Sequence, residues 1–513
     1  MKERASDMSR KSLLPSVDGP RVSHARAAEK LDALLAVVPT SSAKQTLPKS
    51  AFDALPEHER WQELHARGEA RSGTVRSTTL GNRGQTLAVL GYIDPNASTF
   101  ERLSLAGRMM KESAPRNARA IGLAAALSPL AERATLEALI AAVLSQAFAL
   151  PAYRSSHGPE HRLQRVAILG GRNLDLGFAT AAARGNNLAR WLTALPPNML
   201  DAPAYKQTLA ALSRRHGLSM RWLDETALRR AGANAFLAVS AGNDAPGAGI
   251  AHLRYRPGRR SGGAPQIALV GKGILFDTGG INLKPHRSML DMHTDMAGSA
   301  VALATLIALA ELRAPIAVDA WLPITENRIG PHAYRPQDVV RAANGVTIQV
   351  IHTDAEGRMV LADTLALAAR TQPRLILDFA TLTGACVYAL TERMSGVFTN
   401  QPRLAETLVE AGRASGERVW HFPNDPDYDT DIESKSADVL QCGADGKGDH
   451  ILATRFLGRF VPERIAWAHV DLSSATRPGG LAHINTDITG FGVRYALELI
   501  LKQGILDELD ASS

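Results

Sequence analysis

The sequence predicts an α/β protein, with a C-terminal domain built on a mostly parallel sheet flanked by helices and a smaller N-terminal α/β domain. Strand-like and helical segments alternate through the second half of the chain, which is typical of parallel sheets. The chain has 513 residues, more than one hydrophobic core usually organises. The stretch PPNMLDAPAY, with a cap-like Asp201, ends one helical pattern and begins another. We expect domains at residues 1–180 and 181–513.

The N-terminal domain is predicted to begin with a polar leader. Residues 1–50 are rich in Ser, Pro and Lys and lack the apolar core of a secretory signal, so we expect a cytoplasmic protein. TLAVLGYI (86–93) and RVAILGG (165–171) have the apolar composition of buried strands. Helical patterns cover about residues 101–113 and 131–149, which completes a small α/β unit.

In the C-terminal domain, predicted strands are separated by helices and by charged loops. The predicted strands are QIALVGKGI, PIAVDAWLPI, GVTIQVIHT, RLILDFATL and RIAWAHVDL. The predicted helices are AGSAVALATLIALAEL and RMVLADTLALAART. Because ligands in such sheets bind beyond the carboxyl ends of the strands, the charged loops at these ends are the candidate site.

Composition and charge argue against several classes of protein. The sequence has no apolar run of 18 residues, so no membrane-spanning helix is expected. Two cysteines, Cys386 and Cys442, are too few for a zinc ribbon and are expected as reduced thiols. The net charge of +7 arises in residues 1–180, which hold 24 Lys and Arg against 17 Asp and Glu, while the rest holds 34 of each. These basic residues form no tract and are not interleaved with aromatics, so nucleic-acid binding is not the favoured interpretation.

One charged segment, HTDAEGRMVLADTL (352–365), places Asp354, Glu356 and Arg358 at alternate positions ahead of an apolar helical run. In an extended segment these side chains would face one side, and the two carboxylates would repel each other. A salt bridge to Arg358 or a metal cation would relieve the repulsion, and a solvated turn would hardly feel it. The segment alone leaves these three interpretations open.

A second charged segment, VGKGILFDTGGINLKPHRSMLDMHTDMAGSA (270–300), carries Lys272, Asp277, Lys284 and Asp295 among glycines. It lacks the Gly-x4-Gly-Lys-Ser/Thr order of a phosphate-binding loop, and its carboxylates would repel phosphate. With the first segment it provides four carboxylates near strand ends, a set that suits two divalent ions in a hydrolytic centre. A lysine buried beside cations can lose its proton and act as a ligand, while a protonated lysine can stabilise an oxyanion.

These two segments resemble the signature segments of the leucyl (cytosol) aminopeptidases, a family of metallopeptidases. The similarity extends from about residue 180 to residue 503 and is weak before residue 180. It includes four further stretches: ENRIGPHAYRPQDVV (326–340), DFATLTGACVYAL (378–390), ERVWHFP (417–423) and ITGFGVRYALELI (488–500). The resemblance implies an enzyme that hydrolyses the N-terminal residue from peptides with a free N-terminus, favours leucine-like side chains and forms homohexamers.

The resemblance also implies that the charged side chains hold two divalent metal ions per chain, Zn²⁺ or Mn²⁺. A tight site would be formed by Lys272, Asp277, Asp295 and Glu356. A more exchangeable site would be formed by Asp277, Asp354 and Glu356. Asp277 and Glu356 would bridge the two ions.

Two further residues would take part in the reaction according to the same resemblance. Lys284 would contact the carbonyl of the substrate and its oxyanion. Arg358 would hold a bicarbonate ion that acts as the general base. Met292, Thr381 and Gly384 would line the pocket for the N-terminal side chain of the substrate.

The chain departs from the family pattern at several positions. His352 replaces the usual Asn, Thr278 replaces a common Ser, and MHTDMAGSA replaces a stretch that commonly reads MKADMGGAA. GADGKGDHILAT (443–454) replaces a stretch that is usually richer in small residues. None of these departures removes a predicted metal ligand or catalytic residue, so they concern the side-chain preference.

Two other hypotheses for the function remain at this point. A nucleic-acid-binding protein that retains the aminopeptidase fold would have no need of the complete charged set. A two-metal phosphoester hydrolase is less consistent with the sequence, because an anionic substrate gains little from paired carboxylates beyond their metals.

Overall fold

A computed structural model describes residues 19–25, 30–40, 55–155, 162–171, 174–244, 246–258 and 264–510. Most of the predicted polar leader, residues 1–50, lies outside these described residues. Its described part corrects the prediction, because residues 21–25 and 33–39 are strands of the N-terminal sheet and residues 33–38 are buried in its core.

The N-terminal region forms a six-stranded sheet. Its strands are Arg21–Ala25 (β1), Ala33–Pro39 (β2), Val75–Thr79 (β3), Leu87–Ile93 (β4), Ala120–Ala125 (β5) and Arg165–Leu169 (β6). They lie in the order β1-β6-β5-β2-β4-β3, and all neighbours are parallel except β3 and β4. The helices of this region are His58–His65 (α1), Thr99–Ser113 (α2) and Pro129–Gln146 (α3). Alternate residues of β2 enter two apolar clusters, so α2 and α3 cover one face of the sheet and α1 packs on the other.

The C-terminal region contributes the remaining strands. In chain order they are Ser219–Asp224 (β7), Gly249–Tyr255 (β8), Ile267–Gly271 (β9), Gly273–Asp277 (β10), Val318–Asn327 (β11), Val339–Arg341 (β12), Thr347–Gln349 (β13), Leu375–Ala380 (β14), Ser395–Thr399 (β15), Val419–His421 (β16), Val439–Leu440 (β17) and Ala466–Asp471 (β18). Nine of them form one sheet with the order β16-β15-β18-β14-β9-β11-β8-β7, in which β10 also pairs with β11. Strands β18, β14, β9, β11 and β10 are parallel to their neighbours within this group. The other three strands, β12, β13 and β17, form a separate small sheet.

Helices cover both faces of the nine-stranded sheet. In chain order they are Leu176–Thr193 (α4), Ala202–Arg215 (α5), Glu225–Ala231 (α6), Asn234–Ser240 (α7), His286–Met289 (α8), Ala297–Glu311 (α9), Glu356–Ala369 (α10), Gly384–Leu390 (α11), Ala405–Ser415 (α12), Asp449–Gly458 (α13), Val493–Leu501 (α14) and Ile505–Asp510 (α15). Helices α4, α9 and α14 contribute to one large apolar cluster, and α7, α10 and α13 contribute to the other. This two-layer burial accounts for the nearly continuous apolar sequence of the central strands.

The predicted fold class is confirmed, with informative differences in detail. QIALVGKGI was expected as one strand but divides into β9 and β10, because the backbone of Lys272 hydrogen-bonds to the Phe379 carbonyl and the Ser299 amide at this point. GVTIQVIHT forms β13 of the small sheet and not a strand of the large one. The antiparallel strands β7 and β8 were not predicted, since their mixed polar sequence gives a weak apolar signal.

The expected domain junction near residue 180 lies inside α4. This helix is bonded to the N-terminal region, because Asn187 donates to the Leu144 carbonyl at 3.0 Å and Arg190 donates to the Ser145 hydroxyl at 2.9 Å. It also packs against α9 of the C-terminal region within one apolar cluster. The division at residue 180 therefore remains a proposal.

Within the described part of the chain, one stretch has the length and apolar composition of a membrane span. It is His286–Glu311, and 83% of its most apolar window is buried inside the protein. Its apolar character is explained by α9, which packs between the sheet and neighbouring helices.

Candidate metal centre and active site

The candidate site forms where parallel strands of the large sheet end side by side. Strands β9, β10, β11 and β14 run in the same direction, so their carboxyl ends meet at one edge. Lys272 follows β9 and Asp277 ends β10, while Asp295 comes just before α9 and Glu356 begins α10. Side chains far apart in sequence therefore converge at this edge.

Lys272 joins two of the predicted metal ligands. Its Nζ lies 2.8 Å from Oδ2 of Asp295 and 2.9 Å from Oε1 of Glu356, and it donates to the Thr381 carbonyl at 3.0 Å. Burial alone would lower the pKa of Lys272, but the carboxylates of Asp295, Glu356 and Asp277 raise it above its ordinary value. The neighbouring carboxylates therefore stabilise the protonated form of the Lys272 amine.

Lys284 makes a similar pair of contacts on the more open side of the site. Its Nζ lies 2.9 Å from Oδ2 of Asp277 and 2.6 Å from Oδ1 of Asp354. The Asp354 side chain is 27% exposed, compared with 3% for Asp277. Burial would lower the pKa of Lys284, yet the Asp277 carboxylate and its neighbours raise it. The accessible edge of the site is therefore formed by Asp354 and Lys284.

Asn327, at the end of β11, contacts the carboxylates of the site through its side-chain amide. Its Nδ2 donates to Asp277 at 2.8 Å and to the Thr353 carbonyl at 3.0 Å, and it lies 3.4 Å from Oε2 of Glu356. The hydroxyl of Tyr334 donates to the same Thr353 carbonyl at 2.8 Å. These buried contacts fix the turn that carries Asp354 and Glu356.

Two glycines allow the backbone segments of the site to approach closely. A Cβ atom at Gly271 would collide with the Gly298 carbonyl, and one at Gly298 would collide with the Phe379 carbonyl. The Lys272 amide donates to the Phe379 carbonyl at 2.9 Å, and the Ser299 amide donates to the Lys272 carbonyl at 2.7 Å. This contact between β9, α9 and β14 places Lys272 next to Asp295.

The carboxylates are not balanced by the two lysines. Burial raises the pKa of Asp295 to about 8, although the Lys272 ammonium opposes the shift. Burial also raises the pKa of Asp277 and of Asp354, and neighbouring carboxylates add to both shifts. Carboxylates in well-balanced ion pairs shift in the opposite direction. The cluster therefore favours additional positive charge.

The donor set fits divalent metal ions. Carboxylate oxygens of Asp277, Asp354 and Glu356 lie within 4.8 Å of one another, and Lys272 links Asp295 to Glu356. Oxygen donors with one amine suit hard or borderline cations such as Zn²⁺ and Mn²⁺. The buried Oδ1 of Asn327 accepts no hydrogen bond from the part of the chain that the structure describes.

Comparison with known proteins agrees with this geometry. The model of the "Cytosol aminopeptidase family, catalytic domain" matches residues 187–497. A probable cytosol aminopeptidase of Parasynechococcus marenigrum is 37% identical over 423 residues, which cover 81% of this chain and 86% of the relative. The chain belongs to the cytosol aminopeptidase family. It is therefore a hydrolase of the aminopeptidase class, and the family is metal-dependent.

Two solved structures of similar proteins have the same fold. A mutant tomato leucine aminopeptidase superposes with a TM-score of 0.81 at 27% identity, covering 94% of this chain and 97% of the relative. The bottromycin maturation enzyme BotP in complex with Mn superposes with a TM-score of 0.78 at 29% identity, covering 93% of this chain and 99% of that one. The fold match extends into the N-terminal region, where the sequence resemblance is weak.

Arg358 is oriented differently from the sequence-based expectation for this aminopeptidase. The segment does not continue as an extended chain, because α10 begins at Glu356 and rotates Arg358 away from Asp354. Nη2 of Arg358 donates to both carboxylate oxygens of Asp449, at 2.9 and 2.8 Å, and Nη1 donates to the Gln441 carbonyl at 3.2 Å. A salt bridge from Arg358 to the neighbouring acids is therefore not formed.

The three predicted pocket residues have different positions relative to the charged cluster. Thr381 is part of it, since its hydroxyl donates to Oδ1 of Asp295 at 2.7 Å. Met292 begins the short turn that precedes Asp295 and is partly buried. Gly384 is exposed at the start of α11, near the exposed ring of Tyr388. Their role in the aminopeptidase pocket remains a prediction.

Sequence reasoning missed Asn327, Gln441 and Asp449. Asn327 was detectable in principle, since it is a polar residue that ends a buried strand. Asp449 lies in the stretch GADGKGDHILAT, which departs from the aminopeptidase pattern. Gln441 is buried, and its side chain accepts from the amides of Ile351 and His352 at 3.0 Å. Nothing in its sequence context indicates this role.

Proposed function

We propose that the protein is a dimetal aminopeptidase that removes the N-terminal residue from peptides and favours leucine-like side chains. The observation that carries this proposal is the convergence of four carboxylates and two lysines at one sheet edge. Such a cluster is costly to bury unless cations balance it. The family membership supplies the reaction class.

The two ions would be held by residues of different accessibility. The tighter site is assigned to Lys272, Asp277, Asp295 and Glu356, which are all buried. The more exchangeable site is assigned to Asp277, Asp354 and Glu356, and the exposure of Asp354 supports faster exchange there. When bound, Zn²⁺ or Mn²⁺ would polarise the scissile carbonyl and acidify a water molecule.

The side chains of the chain bind and orient the substrate. Lys284 would donate to the substrate carbonyl and stabilise the oxyanion that develops there, and the position of its Nζ at the open edge of the site supports this role. The free N-terminal amine of the peptide would bind near Asp295, which explains a requirement for chain ends. Met292, Thr381 and Gly384 would contact the N-terminal side chain.

The nucleic-acid-binding alternative is not favoured by the site. Lys272, Asp277, Asp295 and Glu356 are buried and cannot contact a phosphate backbone at the surface. Burying them costs desolvation free energy that a surface-binding role would not require. A cytoplasmic location and a homohexamer are proposed from the family resemblance.

Reconstitution of the purified protein with Zn²⁺ or Mn²⁺ tests the proposal. We expect about two ions per chain and cleavage of leucine p-nitroanilide. N-acetyl-leucine p-nitroanilide serves as the matched control and should be inert, because its amine cannot bind at the site. Alanine, methionine and glutamate p-nitroanilides would measure the side-chain preference. One ion or none in active protein, or equal cleavage of the acetylated substrate, would contradict the mechanism.

A further inference from the structure

Arg358 is already bound by an anion of its own chain. Nη2 reaches both oxygens of the Asp449 carboxylate, and Nη1 reaches the Gln441 carbonyl. The family resemblance places a dissolved bicarbonate ion at this guanidinium. A bicarbonate ion would have to compete with Asp449 for this guanidinium, because Nη2 is already bound by both carboxylate oxygens and Nη1 by the Gln441 carbonyl. Nε is the Arg358 nitrogen without a partner among the described residues.

The position of Asp449 is built by the local fold. Gly448 adopts a φ of 58°, which turns the chain so that Asp449 becomes the first residue of α13. A carboxylate in the first turn of a helix is stabilised by the helix dipole. The Asp449 side chain is 24% exposed whereas Arg358 is 2% exposed, so the carboxylate lies on the solvent side of the guanidinium.

Asp449 is linked to the first turn of α10, the helix that begins at Glu356, through the Arg358 side chain. Arg358 lies two residues after Glu356 in this turn, and its Nη2 donates to both oxygens of Asp449. An ionised carboxylate offers about four acceptor sites, and the two bonds from Nη2 leave some of them free to accept a proton.

We propose that Asp449 supplies, from the chain itself, the anion that this aminopeptidase would otherwise take from solution as bicarbonate. The proton-transfer part of the inference rests on the proposed function. As water attacks the scissile carbonyl carbon, one of its protons passes to the Asp449 carboxylate. The same proton passes to the leaving nitrogen when the peptide C–N bond breaks, so Asp449 is regenerated ionised.

Activity in bicarbonate-free buffer gives the first test. The wild-type enzyme should show the same turnover with and without millimolar bicarbonate. Asp449→Ala should lose turnover by on the order of 10²–10⁴-fold with KM and metal content nearly unchanged, and bicarbonate or formate should restore part of the loss. Asp449→Asn keeps the shape of the side chain but neither accepts the proton nor leaves room for the ion. It should be equally slow and should not be rescued.

Two results would overturn the inference. One is a wild-type enzyme whose turnover depends on bicarbonate. The other is full turnover of Asp449→Asn or Asp449→Ala without added anion, which would make the ion pair purely structural. If Asp449→Ala does not fold, Asp449→Asn still decides, with its thermal midpoint as the check on folding.

Anion binding to the metal-free protein gives a readout that does not depend on catalysis. Titration with ¹³C-labelled bicarbonate should show binding to Asp449→Ala and none to the wild type. The double variant Arg358→Ala/Asp449→Ala should not bind, because the guanidinium is gone. If the wild type binds bicarbonate as well as Asp449→Ala does, the inference is wrong. If binding follows the expected pattern but no peptide is cleaved, the proposed function fails and the anion assignment stands.

Discussion

The two sheets of the molecule have similar architectures but differ in the number of charged side chains that they bury. Both are mostly parallel and covered by helices on both faces. Among the described residues of the N-terminal sheet and its helices, Arg102 is the one buried charged side chain. The nine-stranded sheet and its helices bury many more, including Lys272, Asp277, Asp295 and Glu356.

The groups that contact the buried charged side chains also differ between the two regions. Arg102 donates to the Thr135 hydroxyl at 2.8 Å and to the Pro95 carbonyl at 2.7 Å, both neutral acceptors that close a structural contact. In the site, carboxylates face ammonium groups and one another. Burying charged side chains without enough opposite charge lowers the stability of the folded protein. A cluster of such side chains at the strand ends therefore identifies the reactive region better than the fold does.

Removing a predicted bridging ligand should have the largest effect. Glu356→Ala should lose at least one of two bound ions and reduce kcat/KM by more than about 10³-fold, since Asp277 and Asp354 would then lack cation to balance them. Metal analysis and steady-state kinetics measure both effects. Retention of two ions with near-normal turnover would remove Glu356 from the site.

Removing the buried charged side chain of the N-terminal region should change the stability of the protein and not its activity. Arg102→Leu should lower the free energy of unfolding by about 1–3 kcal/mol, because the Thr135 and Pro95 partners lose charged hydrogen bonds. Turnover of the folded protein should not change. A loss of kcat without a loss of stability in this variant would mean that the two regions are coupled more closely than their contacts indicate.

A smaller, pH-dependent effect is expected at Glu417, a buried acid of the C-terminal region outside the charged cluster. Burial raises its pKa to about 7, although the amides of Tyr495 and Gly492 donate to Oε2 and oppose the shift. The folded state therefore retains a proton that the unfolded state releases near pH 4. The resulting stabilisation is present below about pH 4 and is lost as the pH rises through about 7.

Glu417→Gln isolates this contribution, because the amide oxygen can accept the same two backbone hydrogen bonds without titrating. Urea unfolding of metal-free protein between about pH 5 and pH 7 measures how the free energy of unfolding changes with pH. This free energy should fall with rising pH less steeply in Glu417→Gln than in the wild type, by up to about 1.4 kcal/mol per pH unit. Identical slopes for the two proteins would show that Glu417 is ionised in the folded state throughout this range.

The smallest effect is expected from the positive charge of the N-terminal third. Its basic side chains form no tract, so duplex DNA should bind weakly or not at all, and any binding should disappear between roughly 50 and 200 mM salt. Gel-shift titration measures this directly. Tight and sequence-selective binding at physiological salt would support a nucleic-acid-binding function as strongly as the aminopeptidase function.

The sequence predicted the convergence at the sheet edge because strand ends and charged loops follow simple rules. Lys272 comes directly after an apolar strand, Asp277 ends the next strand, and Glu356 begins an apolar helix. The partner of Arg358 could not be predicted in this way. Asp449 is 91 residues distant in the chain, and its approach depends on the packing of α13 against α10. The convergence of Arg358 with Asp354 and Glu356 was conditional on an extended segment, and a helix begins at Glu356 instead.

The close approach at Gly271 and Gly298 has a consequence for engineering. Neither glycine is assigned a contact with the substrate, yet any side chain at either position would separate the backbone segments that carry Lys272 and Asp295. In a saturation library selected for activity on new substrates, almost no substitution should therefore be recovered at these two positions. Diversity is better placed at the exposed start of α11, around Gly384 and Tyr388, where a larger residue meets solvent first.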